Sequence, residues 1–265
     1  MTRSLGIPRF LYVPAIIGLA LLTLPIVGLI ARVDWQTVPH AMTSPAAVDA
    51  LMLSLRTGVA ATVTCLILGI PLAVVMARSG PRVAGILRAL TTLPLVLPPM
   101  VGGIALLSLL GRNGLVGASL SAWGLSIPFT TLAVVIAQSF VALPFLVISL
   151  EGALRTAGTG FETVASTLGA GRWTVFRRIT LPLVWPGLLA GTVLCFARAL
   201  GEFGATALFA GNAQGATRTM PLAIYTAFNG AGVSQDSAIA LSLLLVGVAV
   251  VILLLMRSWR TELPR

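Results

Sequence analysis

The sequence LYVPAIIGLALLTLPIVGLIA, from Leu11 to Ala31, contains no charged residue over a stretch long enough to cross a membrane. About 20 apolar residues in a helix span the roughly 30 Å hydrocarbon core of a bilayer. The stretch follows Arg3 and Arg9, as in a signal peptide, but it is longer than the apolar region of such a peptide and lacks a clear small-residue cleavage site. We therefore expect a retained first transmembrane helix.

Five further apolar stretches follow in this chain of 265 residues, of which 57% are hydrophobic and only 9% are charged. A soluble domain carries about a quarter charged residues. Because lipid offers no hydrogen-bond partner to an open sheet edge, and the stretches lack the alternation of a membrane barrel, the spans should be helices. The sequence predicts an all-α membrane protein, a single domain over residues 1–265, with about six spans: Leu11–Ala31, Leu55–Ala77, Ala89–Leu110, Phe129–Leu150, Leu183–Leu200 and Ala238–Met256.

The positions of the basic residues predict the orientation of the spans. All 17 basic residues are arginines, and they mark the connections between spans rather than one surface stripe, which argues against nucleic-acid binding. With six spans, twelve arginines lie on the side of the two termini and three on the opposite side, while Arg56 and Arg198 fall within or at the edge of spans. Because cytoplasmic loops are enriched in arginine, both termini should be cytoplasmic and the loop from Asp34 to Asp49 external.

The residues that catalysis or metal binding would need are scarce in this sequence. We find neither a nucleophile with a neighbouring base nor a phosphate-binding loop. The single histidine, His40, lies in the external loop and is expected to be solvated. Cys65 and Cys195 lie in apolar spans, where small buried hydrophobic residues are expected. We therefore expect no catalytic site, no metal site and no nucleotide bound by this chain.

Charged and kinked positions inside the spans are the candidates for a translocation pathway. An ionisable residue at membrane depth is costly unless it is paired or hydrated. Arg198 and Glu202 are four residues apart, so they either pair with each other or leave Arg198 to attract an anion. Pro98 and Pro99 should kink the third span, and such kinks occur both in pathway helices and as static packing features. Glu151 is expected to mark the cytoplasmic end of span four.

Two connections between the later spans carry local patterns. In the cytoplasmic connection at about 151–182, apolar residues recur at helical spacing from Phe161 to Trp173, which predicts a short amphipathic helix. This pattern leaves open whether the helix lies on the membrane surface or docks into a partner. The connection at 201–232 is rich in glycine and too apolar for a free loop, so it either folds back near a pathway or packs helices together.

The stretch ETVASTLGAGRWTVFRRITLPL, from Glu162 to Leu183, resembles the cytoplasmic EAA loop of ABC-importer permeases. In that loop a Glu-Ala-Ala block is followed by a glycine and then, ten residues later, by Ile-x-Leu-Pro. The block is degenerate here, because Thr163 and Val164 stand where Glu and Ala are usual. The resemblance implies that this segment couples the membrane helices to an ATPase, through the candidate residues Glu162, Ala165, Gly169, Arg172, Trp173, Ile179, Leu181 and Pro182.

A second resemblance narrows the family. FARALGEFGATALFAGN and TRTMPLAIY, between Phe196 and Tyr225, closely resemble molybdate permeases, and the sulfate and thiosulfate permeases carry a related version. LPLVLPPMVGG, from Leu93 to Gly103, and the stretch from Ser54 to Arg78 fit the same group. The resemblance implies a type I ABC-importer permease fold and import of molybdate or tungstate, with sulfate or thiosulfate as the nearest alternative. A proton-coupled transporter or channel working alone is disfavoured by the coupling-type segment and the few membrane-embedded acids.

The same resemblance implies the partners and the location of the chain. It is expected in the cytoplasmic membrane as a multi-pass homodimer, with two ATPase subunits that bind ATP and Mg and an external protein that delivers the oxyanion. The chain itself should carry no cofactor.

The candidates for residues that line the translocation pathway are Arg198, Glu202, Pro98 and Pro99.

Overall fold

A computed structural model describes residues 8–230 and 235–260, and all regular secondary structure in this part of the chain is helical. Arg3 and Arg265, which the arginine distribution includes, lie outside the described residues, as do the last two positions of the 201–232 connection. A 3-10 turn at Arg9–Leu11 and a π-helical turn at Phe176–Thr180 accompany the α-helices. In chain order these are α1 Tyr12–Ala31, α2 Val38–Thr43, α3 Pro45–Arg78, α4 Pro81–Val96, α5 Pro99–Leu110, α6 Gly117–Ala122, α7 Thr131–Ala157, α8 Gly160–Thr167, α9 Arg172–Val175, α10 Leu181–Leu183, α11 Trp185–Leu200, α12 Gly204–Phe209, α13 Met220–Asn229 and α14 Gln235–Arg260.

Three helices, α1, α3 and α7, are long and apolar enough to cross a membrane without a break. The first matches the predicted span closely, whereas α3 and α7 extend beyond theirs. Each of these two helices is preceded by an N-cap residue. The Ser44 hydroxyl accepts a hydrogen bond from the Ala47 N–H, and the Thr130 hydroxyl accepts one from the Ala133 N–H. The apolar part of α14, Asp236–Val251, is shorter.

Two of the predicted spans are bent rather than straight. The chain bends by 112° between α4 and α5, at Leu97. The extended backbone of Leu97 is the conformation favoured for a residue that precedes proline. The kink predicted at Pro98 and Pro99 is confirmed, but the single span Ala89–Leu110 is wrong, since α4 also begins earlier, at Pro81. The helical segment Arg172–Leu183 meets α11 at 72°. If each bent pair is counted as one span, up to five spans long and apolar enough to cross a membrane lie in the described residues, and the shorter apolar part of α14 corresponds to the sixth predicted span.

Helices α3, α7 and α11 form the core of the membrane region. Gly187 and Gly191, four residues apart on α11, allow this helix to lie directly on α7. A Cβ atom added at Gly187 would come within 2.4 Å of the Ala153 Cβ, and one added at Gly191 within 2.9 Å of the Ser149 Cβ. The Ser149 hydroxyl also donates to the Gly187 carbonyl at 3.0 Å. Glycine at both positions is therefore required by the close packing of the two helices.

A second packed cluster lies at the amino-terminal half of α7. It joins this helix to α5 and to the short helix α12, which follows the break after α11. Part of the 201–232 connection is therefore packed against the spans, as one of its two readings predicted. The buried members of the cluster are Leu106, Ala133, Val134, Ala137, Ala205, Phe209 and Ala210.

Candidate functional site

The predicted amphipathic helix from Phe161 to Trp173 is two helices separated by a turn at Gly169. Helix α8 ends at Thr167, and Gly169 then adopts a φ of +84°. The Gly169 N–H donates to the Ser166 carbonyl and the Ala170 N–H donates to the Ala165 carbonyl, both at 3.0 Å. These two bonds form a Schellman motif, in which the left-handed residue is usually glycine because other side chains disfavour this conformation. The single helix was wrong because glycine at this position ends a helix.

The exposed side of this segment is apolar. We call the coupling surface the four residues Phe161, Val164, Leu168 and Trp173, which are 60% to 82% exposed. The first three recur at helical spacing on one side of α8 and its cap, and the ring of Trp173 stacks on that of Phe176 with centroids 5.7 Å apart. A cluster of large exposed apolar side chains is typical of a surface that another protein covers.

The other predicted coupling residues have different environments. Ala165 supplies a carbonyl to the helix cap, and Arg172 is exposed at the start of α9. Ile179 lies in the π-helical turn, and Leu181 packs against the core cluster of α3, α7 and α11. Pro182 lies in α10, directly after the π-helical turn, and has no N–H to donate to that turn. Of these residues, Leu181 therefore contacts the core, whereas Arg172 and Pro182 are exposed.

Glu162 is held inside the chain rather than presented to solvent. Its Oε1 atom accepts the Thr180 hydroxyl at 2.7 Å and forms an ion pair with the Arg78 guanidinium. Its side chain is about one-fifth exposed. The same arginine also donates to the Gly158 carbonyl, so it contacts both ends of the turn that leads into α8. This contact fixes α8 against the last residue of α3.

The predicted pathway residues Arg198 and Glu202 form an ion pair, with an Nη2 to Oε2 distance of 2.7 Å. The Glu202 side chain is 1% exposed and the Arg198 side chain 29%. The other carboxylate oxygen of Glu202 accepts the N–H of Ala205 at 2.8 Å, in the first turn of α12. Both oxygens are thus occupied, as burial of a charge requires. Pairing is therefore the arrangement that the structure shows.

Pro99 lies next to the same helix break. A Cβ atom added at Gly204 would come within 2.7 Å of the Pro99 Cβ, so the start of α5 lies against the start of α12. Pro98 is exposed at the bend itself. The structure therefore brings Pro99 close to the break between α11 and α12, where Glu202 lies. Pro99 itself follows the bend between α4 and α5. Their role in a pathway stays a prediction.

The predicted coupling segment, residues 161–173, and the pathway candidates Arg198 and Glu202 lie toward opposite ends of α7. Ala137 packs in the cluster with α12, whereas Arg155 lies at the end that leads to α8. At 1.5 Å per residue, roughly 27 Å of helix separates these two positions. The predicted coupling and pathway residues are therefore well separated along the membrane helices.

Sequence reasoning missed the environments of two polar residues, Glu151 and Gln138. Glu151 is buried and paired with both Arg88 and Arg155, so it is more than a marker of the helix end. Its spacing from Arg155, four residues on one helix face, could have indicated that pair. Gln138 is fully buried in α7 with no hydrogen-bond partner for either amide atom among the described residues. No sequence signal distinguishes it.

The remaining chemistry-bearing side chains lie apart from these residues. Cys65 and Cys195 are buried free thiols in the core, as expected of small hydrophobic residues. His40 lies in the short helix α2. Within residues 8–230 and 235–260, no group of three or more His, Cys, Asp or Glu side chains could hold a metal ion.

Comparison with known proteins agrees with the architecture. The family model described as "Binding-protein-dependent transport system inner membrane component" matches residues 69–260. The chain is 55% identical over 248 residues to the molybdenum transport system permease protein ModB of Mycobacterium tuberculosis (strain ATCC 25618 / H37Rv), covering 94% of this chain and 93% of that protein. It is 40% identical over 218 residues to ModB of Escherichia coli (strain K12), covering 82% and 94%. Identity to the sulfate transport system permease protein CysT of the same strain is 33% over 223 residues, covering 83% and 80%.

Two solved structures share the fold. One is a bacterial alginate ABC transporter in complex with an alginate pentasaccharide-bound periplasmic protein, with a TM-score of 0.72 at 20% identity over 93% of this chain and 91% of that chain. The other is the inward-facing MetNI methionine ABC transporter, with a TM-score of 0.64 at 18% identity over 82% and 96%. These likenesses concern the fold alone, and they confirm the predicted all-helical permease architecture.

Proposed function

The chain belongs to the family of binding-protein-dependent transport system inner membrane components, and we propose that it is the permease through which an ATP-driven importer moves molybdate into the cell. The family consists of multi-pass inner-membrane transport subunits, and the apolar helices of this chain suit that location. The observation that carries the choice of anion is the 55% identity to a molybdenum permease over nearly the whole length of both chains.

Tungstate is proposed as a second substrate, because it is a tetrahedral dianion like molybdate. Sulfate is the nearest alternative, supported by the 33% identity to a sulfate permease. The higher identity to two molybdenum permeases favours molybdate over sulfate. A transporter that works without an ATPase is disfavoured, since Glu151 of α7 and Glu202, which follows α11, are both held by arginines.

The coupling surface is proposed to dock on an ATPase subunit. Its exposed apolar side chains fit the mode in which an amphipathic helix lies in a hydrophobic groove of a partner. Two copies of the chain would form the permease, with one ATPase subunit on each and an external binding protein at the opposite side. Closure of the ATPases on ATP would then shift the permease between two states, because each partner binds one state better than the other.

Reconstitution in liposomes tests this function. Purified permease, the ATPase subunit and the binding protein are combined, and accumulation of molybdate is measured with and without internal ATP. We expect accumulation only with all components and ATP, with competition by tungstate and little by a tenfold excess of sulfate. Accumulation of molybdate by the permease alone would contradict the proposal, and preferential accumulation of sulfate would select the alternative.

A further inference from the structure

Two buried or half-buried carboxylates lie where the coupling segment meets the membrane helices. Glu162 on α8 receives Thr180 from the π-helical turn and Arg78 from the end of α3. It therefore joins three separate elements through one side chain. On α8, Glu162 is turned by about 130° from the middle of the coupling surface, since successive residues are about 100° apart around a helix. The charged side of α8 thus faces its own chain and the apolar side is exposed.

The second carboxylate, Glu151 on α7, joins this helix to α4. Its side chain is 5% exposed and forms ion pairs with Arg88 of α4 and Arg155 of α7. The Nε atom of Arg88 donates to the second carboxylate oxygen at 3.4 Å. Arg155 continues the connection to α3, because its Nη2 atom donates to the Met76 carbonyl at 3.2 Å.

The two clusters meet at the end of α3. Met76 supplies a carbonyl to one and Arg78 supplies a guanidinium to the other, only two residues apart. We call these contacts the arginine–glutamate network. It is continuous from the coupling segment through α3 to α7 and α4. Charges that are partly removed from water depend strongly on their partners, so loss of one member leaves another uncompensated.

We propose that Glu162 and Glu151 are positioning residues, which hold the coupling segment to α3, α4 and α7 so that its movement is passed to the membrane helices through Arg78. This inference rests on the proposed function of the chain as an ATP-driven permease. It assigns Glu162 an inward contact with its own chain, while the coupling surface contacts the ATPase. Removal of the contact should leave docking intact and separate ATP hydrolysis from transport.

The test compares Arg78→Glu, Glu162→Arg and the charge-swapped double variant in proteoliposomes. Co-purification of the ATPase measures docking, and molybdate accumulated per ATP hydrolysed measures coupling. We expect both single variants to bind the ATPase but to lose coupling at least tenfold, and the double variant to recover at least a third of it. Arg82→Glu is the matched control, because Arg82 is exposed at the start of α4, outside the network, and we expect it to couple normally.

Two milder variants cover the case in which charge reversal prevents folding. Glu162→Gln and Thr180→Val each remove part of the same contact, and we expect a coupling loss of twofold to fivefold with normal ATPase binding. Normal coupling in these variants, or loss of ATPase binding in Glu162→Gln, would overturn the inference. The unaltered protein serves as a separate check, since its failure to accumulate molybdate with ATP would contradict the proposed function itself.

Discussion

At the scale of single residues, the backbone conformation of Gly169 ends α8 and so positions the side chains of the proposed docking surface. Its φ of +84° completes the cap of α8, and nothing lies within 4 Å of the position that a Cβ atom would occupy. Replacement would therefore cost conformational energy without a collision. The left-handed conformation costs roughly 1 to 2 kcal/mol for an ordinary side chain, and asparagine tolerates it better than most.

We therefore predict different outcomes for two replacements of Gly169. Gly169→Val should displace the turn, weaken co-purification of the ATPase and reduce ATP-driven uptake at least fivefold, because a β-branched residue disfavours a positive φ. Gly169→Asn should keep at least half of both activities. Equal loss in the two variants would show that the conformation of this residue is not what matters.

At the scale of helices, the contact between α7 and α11 depends on the missing side chain of Gly187. An alanine there would overlap Ala153, whose Cβ atom lies 2.4 Å from the added Cβ position. Overpacking of this kind costs about 1 to 3 kcal/mol. It should also part the two helices that lead from the coupling segment to Glu202.

We predict that Gly187→Ala lowers the thermal unfolding temperature of the purified protein and that the added change Ala153→Gly restores most of it. The second change removes the colliding methyl group and so returns the original separation of the helices. Ala153→Gly alone provides the control, with only a small decrease expected. A double variant no more stable than Gly187→Ala would show that the contact does not set the spacing of α7 and α11.

At the scale of the whole molecule, the proposed orientation places the coupling segment in the cytoplasm and α2 outside. Thr43 and Thr167 are both exposed residues, at the ends of α2 and α8. We predict that an impermeant thiol reagent applied to intact cells labels Thr43→Cys and leaves Thr167→Cys unlabelled until the membrane is opened. The buried native cysteines should stay unlabelled in the parent protein. The reverse labelling pattern would contradict the orientation.

Much of this architecture was predictable, because apolar length and proline position are local properties of the sequence. The first span and the kink at Pro98 follow from such signals. The apolar pattern from Phe161 to Trp173 did not reveal that α8 ends at Thr167, although the glycine at position 169 is a common signal for the end of a helix. The partners of Glu162 and the isolation of Gln138 depend on residues distant in the chain, so spacing could not reveal them. Long-range contacts of this kind depend on how the helices pack together, and local patterns in a single sequence do not predict that packing.

One carboxylate oxygen of Glu202 holds Arg198 of α11, and the other accepts the N–H of Ala205 in α12. Because Gly204 packs against Pro99 beside these bonds, the end of α11, the start of α12 and the start of α5 are held together at one point. A movement of α11 in the transport cycle would therefore be expected to displace α12 and α5 with it.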